Sequence, residues 1–520
     1  MKYFNQISAE KLMKILFWLG VVVFITISFS TLKGGLVLGE PDEVTHQELV
    51  DNFHQSLWPR YSGGPWYYEL PLFPFLGFIF SFILRDRFVA LRAVSLLSSA
   101  LLVYGVYFYL KNKTSEFSGI LGALILIISP FFIFYSRIGM LDASVVSFSF
   151  LSFIFFDLAV EKNRRFYFGI SGFFLAVGFL IKYSALIFLV VPILYFLLNS
   201  AKRSLSSLRK YSALSLDLNS SIFFLIFSFL VAPVFLALYF HDRYLFKLHL
   251  LTNLGLLKDF WWLQAKSINA KEFLSSFPWW LTIPIIVFSV LGIFIVAKSI
   301  RRWLFLLIYL CLSIIGILYK TPFYPRYVLL LIPFLSILSA IFLGNFYTKL
   351  RALGLSKLFY PFLAGCLFIV LPTSLEALRS TQHTIVEDTA SFVVQHKAEV
   401  GDKAWLFSTY WPNFFRNYIG NRKVGWVADS SWETSAFTDS AGKSSLEILR
   451  TSGGIVVIEG LYSGSSNFRN PSSRTAAREK ILNSLSPNFV VLDNAPNFPH
   501  FDKGVNSMRI YIVTKDGGKL

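Results

Sequence analysis

Apolar and polar positions alternate along most of this chain in long blocks, on a scale longer than a strand or a surface helix would give. Apolar runs of about 17–25 residues are the length that crosses the hydrocarbon of a bilayer. Such runs recur about eleven times, near 16–32, 88–110, 117–136, 143–159, 166–181, 184–199, 221–241, 279–297, 304–319, 327–347 and 359–375. The first follows Lys2, Lys11 and Lys14; it is too long for a signal-peptide core and lacks a small-residue cleavage site, so it is expected to remain as a helix. Leu70–Leu84 is apolar too, but it is short and carries Pro71 and Pro74 near its start. It is expected to lie at the outer interface, or to dip into it, without spanning.

The short connecting segments then sort by charge. One side holds Lys2, Lys11 and Lys14, Lys111 and Lys113, Lys162, Arg164 and Arg165, Lys202, Arg203, Arg209 and Lys210. It also holds Lys298, Arg301 and Arg302, and Lys349, Arg351 and Lys357. Few acidic residues accompany them, which is the cytoplasmic signature. The N-terminus is therefore expected inside and the end of the last span outside, in a multi-pass protein of the cell membrane. From about Glu376 the pattern changes to short apolar strands, such as Ala404–Ser408, Gly454–Glu459, Phe489–Leu492 and Arg509–Thr514, separated by helical stretches. This predicts a small extracytoplasmic α/β domain over 376–520, behind a membrane domain over 1–375.

Composition agrees. The 520 residues are 55% hydrophobic, 18% aromatic and 15% charged, where a soluble chain carries about 25% charged residues. The net charge of +18 sits mostly in the inner loops, so it reports topology and not nucleic-acid binding. Two cysteines, Cys311 and Cys366, fall inside apolar runs and exclude a disulfide scaffold.

Acidic groups cluster on the other side. The first outer loop, 33–87, opens on Glu40-Pro-Asp42-Glu43 and continues through the aromatic, Gly-rich stretch Trp58–Glu69. A later outer turn reads Tyr135-Ser-Arg137-Ile-Gly-Met-Leu-Asp142. Asp42, Glu43, Glu69 and Asp142 thus share one face of the membrane. A carboxylate there can deprotonate an acceptor hydroxyl or hold a divalent cation, and Asp42, Asp142 and Glu69 are the candidates for such a cation. Aromatic faces beside them suit sugar rings. Asp42 and Asp142 stand out because a charge at a membrane boundary is costly unless partnered. His46 and His54 read as ordinary loop histidines. Lys182 and Arg326 lie outside against the charge bias, each at the end of a span, and are candidates to clamp a phosphate.

With these motifs in hand, the sequence over about residues 12–345 resembles the GT-C membrane glycosyltransferases (the family 39/83 type). The likeness is to the branch holding the dolichyl-phosphate-mannose protein mannosyltransferases and the bacterial aminoarabinose transferase of lipid A. Asp42-Glu43 resembles the family's acidic pair beyond the first span, and Glu69-Leu-Pro-Leu72 its Glu-(Lys/His)-Pro-Pro-Leu segment, with Leu70 departing from the usual Lys or His. Arg137 with Asp142, Lys182, and Pro325-Arg326-Tyr327 match its later turns. The resemblance implies a mainly α, GT-C-like membrane enzyme that moves a sugar, with inversion, from a polyprenyl-phosphate donor to a protein, lipid or cell-envelope glycan. It implies Asp42 as general base, with Glu43 and Asp142 beside it in the catalytic set. Glu69, Arg137, Lys182, Arg326 and Tyr327 would be substrate contacts. A divalent cation remains an open cofactor, since the family has both kinds of member. The competing reading is a transporter or flippase of envelope precursors. Such proteins place ionisable groups near the bilayer midplane, whereas here Asp157, near an inner end, is the acidic residue inside a span.

Overall fold

The fold is described by a computed structural model for residues 9–30, 32, 42–56, 58–61, 64–65, 69–206, 218–253, 281–319 and 325–379, and for five strands beyond them. The chain divides into two compact units, residues 1–33 with 45–378 and residues 34–44 with 379–520.

The first unit is helical. Its elements are α1 (Ala9–Ser30), α2 (Asp42–Phe53), α3 (Leu72–Leu84), α4 (Arg87–Lys113), α5 (Glu116–Ile128), α6 (Pro130–Tyr135), α7 (Leu141–Lys162) and α8 (Arg165–Ile181). After a 3-10 segment, Tyr183–Leu189, come α9 (Val190–Ser206), α10 (Leu218–His241), α11 (Arg243–Asn253), α12 (Ile283–Ala297) and α13 (Ile300–Tyr319). A second 3-10 segment, Pro325–Leu330, leads into α14 (Ile332–Ala352), and α15 (Phe359–Arg379) closes the unit.

Among the described residues, six helices are long and apolar enough to cross a membrane, and six shorter apolar helices accompany them. The expected runs coincide with apolar helices throughout; α5 and α6, joined through Ser129, make up the third. This is a multi-pass, mainly α membrane protein. α3 has 13 residues, so at 1.5 Å per residue it is about 20 Å long, short of the ~30 Å hydrocarbon core. Its prolines do no harm. Pro71 is the N-cap and Pro74 falls in the first turn, where backbone N–H groups have no intrahelical partner.

Local signals set the helix ends. Asp86 caps α4 by accepting from the Val89 N–H at 3.0 Å, and Ser115 caps α5 by accepting from Ser118 at 3.2 Å. Caps of this kind stabilise a helix by about 1 kcal/mol. Asn163 ends α7 in the left-handed region, φ 48°.

Packing relies on small residues, as expected where lipid removes the hydrophobic drive between helices. A methyl on Gly172 of α8 would sit 2.5 Å from the Phe223 carbonyl oxygen of α10, and one on Gly292 of α12 would sit 2.2 Å from that of Leu338 on α14. Serine hydroxyls bridge neighbours: Ser98 with Ser144 (α4–α7, 3.1 Å), Ser152 with Ser171 (α7–α8, 3.1 Å) and Ser289 with Ser339 (α12–α14, 3.0 Å). Toward the C-terminal end of α7, Lys113 is buried with its ammonium shared among Asp157 (3.0 Å), Glu161 (2.9 Å) and the Arg302 carbonyl (3.1 Å). The Tyr109 hydroxyl also donates to Asp157, at 2.5 Å.

α2 was not foreseen. Its buried positions His46, Leu49, Val50 and Phe53 follow the i, i+3, i+4, i+7 spacing of one helix face. Polar neighbours dilute that stripe to the point where the segment looks like a loop.

The first unit also holds a short antiparallel pair, β1 (Arg60–Tyr61) and β2 (Gly64–Pro65). The second unit contains a five-stranded mixed sheet. Its strands are β3 (Trp405–Ser408), β4 (Val424–Trp426), β5 (Gly454–Glu459), β6 (Phe489–Leu492) and β7 (Ser507–Val513). β3 runs parallel to β4 and β5, while β7 is antiparallel to β5 and β6. Four of these strands were expected; β4 was not. The helical stretches expected between them lie outside the described residues.

Candidate active site

Three interruptions of helical backbone meet around one carboxylate. Asp142 lies in the first turn of α7 and is 5% exposed. Lys182 lies where α8 stops: its backbone is extended, φ −153° and ψ 135°, between α8 and the 3-10 segment that follows. Arg326 lies in the 3-10 segment opened by Pro325. The Lys182 ammonium donates to Asp142 Oδ1 at 3.0 Å, and Arg326 Nε stands 3.7 Å from Asp142 Oδ2. All three side chains are largely buried. One carboxylate thus faces two cations in a low-dielectric setting, where charge interactions are strong.

A second pair adjoins it. Glu69, just before α3, accepts from His46 Nε2 of α2 at 2.8 Å. The other ring nitrogen, Nδ1, lies 3.3 Å from the Gly139 carbonyl oxygen, three residues before Asp142. His46 is within electrostatic reach of Asp142, and Glu69 within reach of Lys182 and Tyr183. His46 is therefore a fully buried helical residue at the site and not the loop histidine the sequence suggested. The usable signal was its place one helical turn beyond Asp42. His54 is exposed and donates to or accepts from Ser81 Oγ at 3.0 Å.

The turn between α6 and α7 is tied on several sides. Ser95 Oγ donates to the Met140 carbonyl at 3.1 Å. Arg137 is 1% exposed and donates through Nη1 to the Leu378 carbonyl at 2.7 Å, in the last turn of α15. Its Nε and Nη2 make no hydrogen bond. Burial, with the nearby Arg92 cation as a smaller cause, brings the Arg137 guanidinium down to about 10; it stays charged at neutral pH.

The remaining expected residues are placed as follows. Asp42 and Glu43 open α2, and both belong to the second unit. Glu43 is buried; the Asp42 side chain lies outside the described residues. Tyr327 is half-buried next to Arg326. Leu70 is 1% exposed, packed where the resemblance would allow a charged residue. Of the aromatic stretch, Trp58 stacks on His241 at 4.1 Å between centroids. Among the described residues no group of three or more His, Cys, Asp or Glu converges to hold a metal ion. Asp142 is turned to Lys182 and Arg326, and Glu69 to His46.

Comparison with known proteins bears on the arrangement. A family model described as dolichyl-phosphate-mannose-protein mannosyltransferase matches residues 68–232, a stretch that holds Glu69, Arg137, Asp142 and Lys182. The crystal structure of apo ArnT from Cupriavidus metallidurans matches with a TM-score of 0.62 at 13% identity, over 99% of this chain and 100% of that one. The chain has the fold of the GT-C membrane glycosyltransferases. The same ArnT bound to undecaprenyl phosphate matches with a TM-score of 0.61 at 14% identity, over 99% and 100% of the two chains. The archaeal oligosaccharyltransferase AglB from Archaeoglobus fulgidus, in complex with an inhibitory peptide and a dolichol-phosphate, also carries the GT-C fold. It matches with a TM-score of 0.56 at 14% identity, over 95% of this chain and 76% of that one. No curated protein sequence matches this chain.

Proposed function

We propose that this protein is an integral membrane glycosyltransferase that moves a sugar from a polyprenyl-phosphate donor to an extracytoplasmic acceptor, with inversion. The observation that carries the reading is the convergence of Lys182 and Arg326 on Asp142 at three helix breaks. Two cations beside one carboxylate bring positive charge to the place where a departing phosphate would gain negative charge. ArnT bound to undecaprenyl phosphate and AglB bound to a dolichol-phosphate share the fold, which supports a lipid-linked phosphate as the donor.

In this reading the acceptor hydroxyl attacks the anomeric carbon from the face opposite the phosphate. The C–O bond to the phosphate breaks, and its electron pair leaves with the polyprenyl phosphate. Lys182, a point charge, and Arg326, a planar fork, stabilise that leaving group. Asp42 takes the acceptor proton, with Glu43 beside it. Asp142 holds the two cations in place until the donor arrives. Glu69, Arg137 and Tyr327 contribute substrate contacts or their support. The N-terminus faces the cytoplasm and residues 376–520 the outside of the cell membrane. Asp157, the acidic group within a span, pairs with Lys113 and accepts from the Tyr109 hydroxyl, so it is engaged in packing contacts and not presented to a transport pathway.

The test is incubation of membranes holding the protein with a panel of radiolabelled polyprenyl-phosphate sugars, following the label into protein, lipid and glycan fractions. Label transferred from one donor, and absent with Arg326→Ala, supports the reading. Vesicle uptake or lipid translocation without transfer would replace it with the transporter.

A further inference from the structure

Among the described residues of the site, Lys182 lies near two carboxylates, Asp142 and Glu69. Left to itself, Glu69 could close on Lys182 and compete with a phosphate for it. His46 stands against that. Its Nδ1 lies 3.3 Å from the Gly139 carbonyl oxygen and its Nε2 lies 2.8 Å from the Glu69 carboxylate. A carboxylate only accepts, so the ring donates to Glu69 through Nε2. It is fully buried, on the stiff backbone of α2 and edge-on to Phe73 at 5.3 Å. The ring is therefore held by packing as well as by its bonds.

We propose that His46 is a positioning residue for the transfer reaction. By holding the Glu69 carboxylate toward the Gly139 turn, it keeps that carboxylate from closing on Lys182 and so leaves Lys182 to the donor phosphate. The proposal rests on reading the site as a phosphate-sugar transfer centre, and it adds to that reading why a second carboxylate next to the clamp does not quench it. Without the ring, Glu69 loses its donor at Oε2, and Lys182 is a cation within its reach. Phosphate would then have to displace it.

The prediction is an unusual pattern of coupling. His46→Phe keeps an aromatic ring against Phe73 and removes the Nε2 donor. It should raise the donor KM about tenfold or more, the cost of one charge-assisted contact, with kcat changed much less. His46→Gln keeps an N–H near Glu69 and should fall between wild type and His46→Phe. In a Glu69→Gln background there is no carboxylate to hold, so His46→Phe should leave donor KM within about twofold of Glu69→Gln alone. Thermal unfolding of the purified full-length variants checks that all fold; if His46→Phe does not, the same comparison is made with His46→Gln in both backgrounds. An equal rise in KM with Glu69 and with Gln at position 69 would show a packing role only and overturn the proposal, as would His46→Phe with wild-type KM. If the wild type transfers sugar from none of the donors, the transferase reading fails. The same cycle is then read on binding of undecaprenyl phosphate to the purified protein. Loss of binding in His46→Phe with recovery in the double variant upholds the inference, and a wild type that binds no better than Lys182→Ala overturns it.

Discussion

Arg326 and Lys182 each sit where a helix has stopped, and both point their charge at the same buried carboxylate. A snorkelling anchor would reach for water instead. Arg326→Ala should therefore weaken donor binding by roughly tenfold or more, from the ~1.5–3 kcal/mol of a charge-assisted bond, while the unfolding temperature of the purified protein moves little. Unchanged donor dependence would return Arg326 to a structural role. Asp42→Asn keeps size and removes basicity; turnover should fall about a hundred- to ten-thousandfold, as for loss of a general base, in a protein that still folds. Full activity in Asp42→Asn beside an inactive Glu43→Gln would move the base to position 43. Asp142, Lys182 and Arg326 were legible in the sequence because charges at the ends of apolar runs contrast with their surroundings. His46 was not, because a histidine within a polar segment offers no such contrast, and its importance comes from Gly139, far away in sequence.

At the scale of elements, α7 carries a charged cluster at each end. Asp142 and Asp157 are fifteen residues apart, roughly 22 Å along the axis. The inner cluster is fully satisfied, with Lys113 bonded to two carboxylates and a carbonyl. Removing one member of a buried pair strands the other. Lys113→Met should thus cost about 3–5 kcal/mol, read as a fall in unfolding temperature in detergent. Lys113→Met/Asp157→Leu, which removes the pair together, should be more stable than Lys113→Met alone. A single variant as stable as wild type would show that the cluster stays hydrated. The spanning helices were legible because about twenty apolar residues in a row have few alternatives. α2 was hidden because its apolar stripe is only a few residues long, and the prolines of α3 looked like breakers until they fell at a helix start.

For the whole molecule, the charge pattern of the loops fixes an orientation that labelling can test. In a variant lacking Cys311 and Cys366, Ser465→Cys should react with a membrane-impermeant thiol reagent from outside intact cells. Reaction only after permeabilisation would invert the topology and separate the carboxylates of the first outer loop from the proposed outer chemistry. The GT-C fold could be read from the order of the motifs, since five pieces in sequence constrain a chain more than any one does. The sheet was read in four of five strands; β4 is a three-residue Val-Gly-Trp segment, too short for alternation to show.

The turn from Ser136 to Met140 is fastened from three directions: by His46 at the Gly139 oxygen, by Ser95 at the Met140 oxygen, and through Arg137 to the end of α15. Its contour length is therefore metered as if by a ruler. Adding or deleting one residue there would rotate Asp142 by about 100° around the α7 axis, away from Lys182 and Arg326. A scan of single-residue insertions along the gene should thus find that this connection tolerates none. For engineering, that marks a place where the scaffold cannot be spliced.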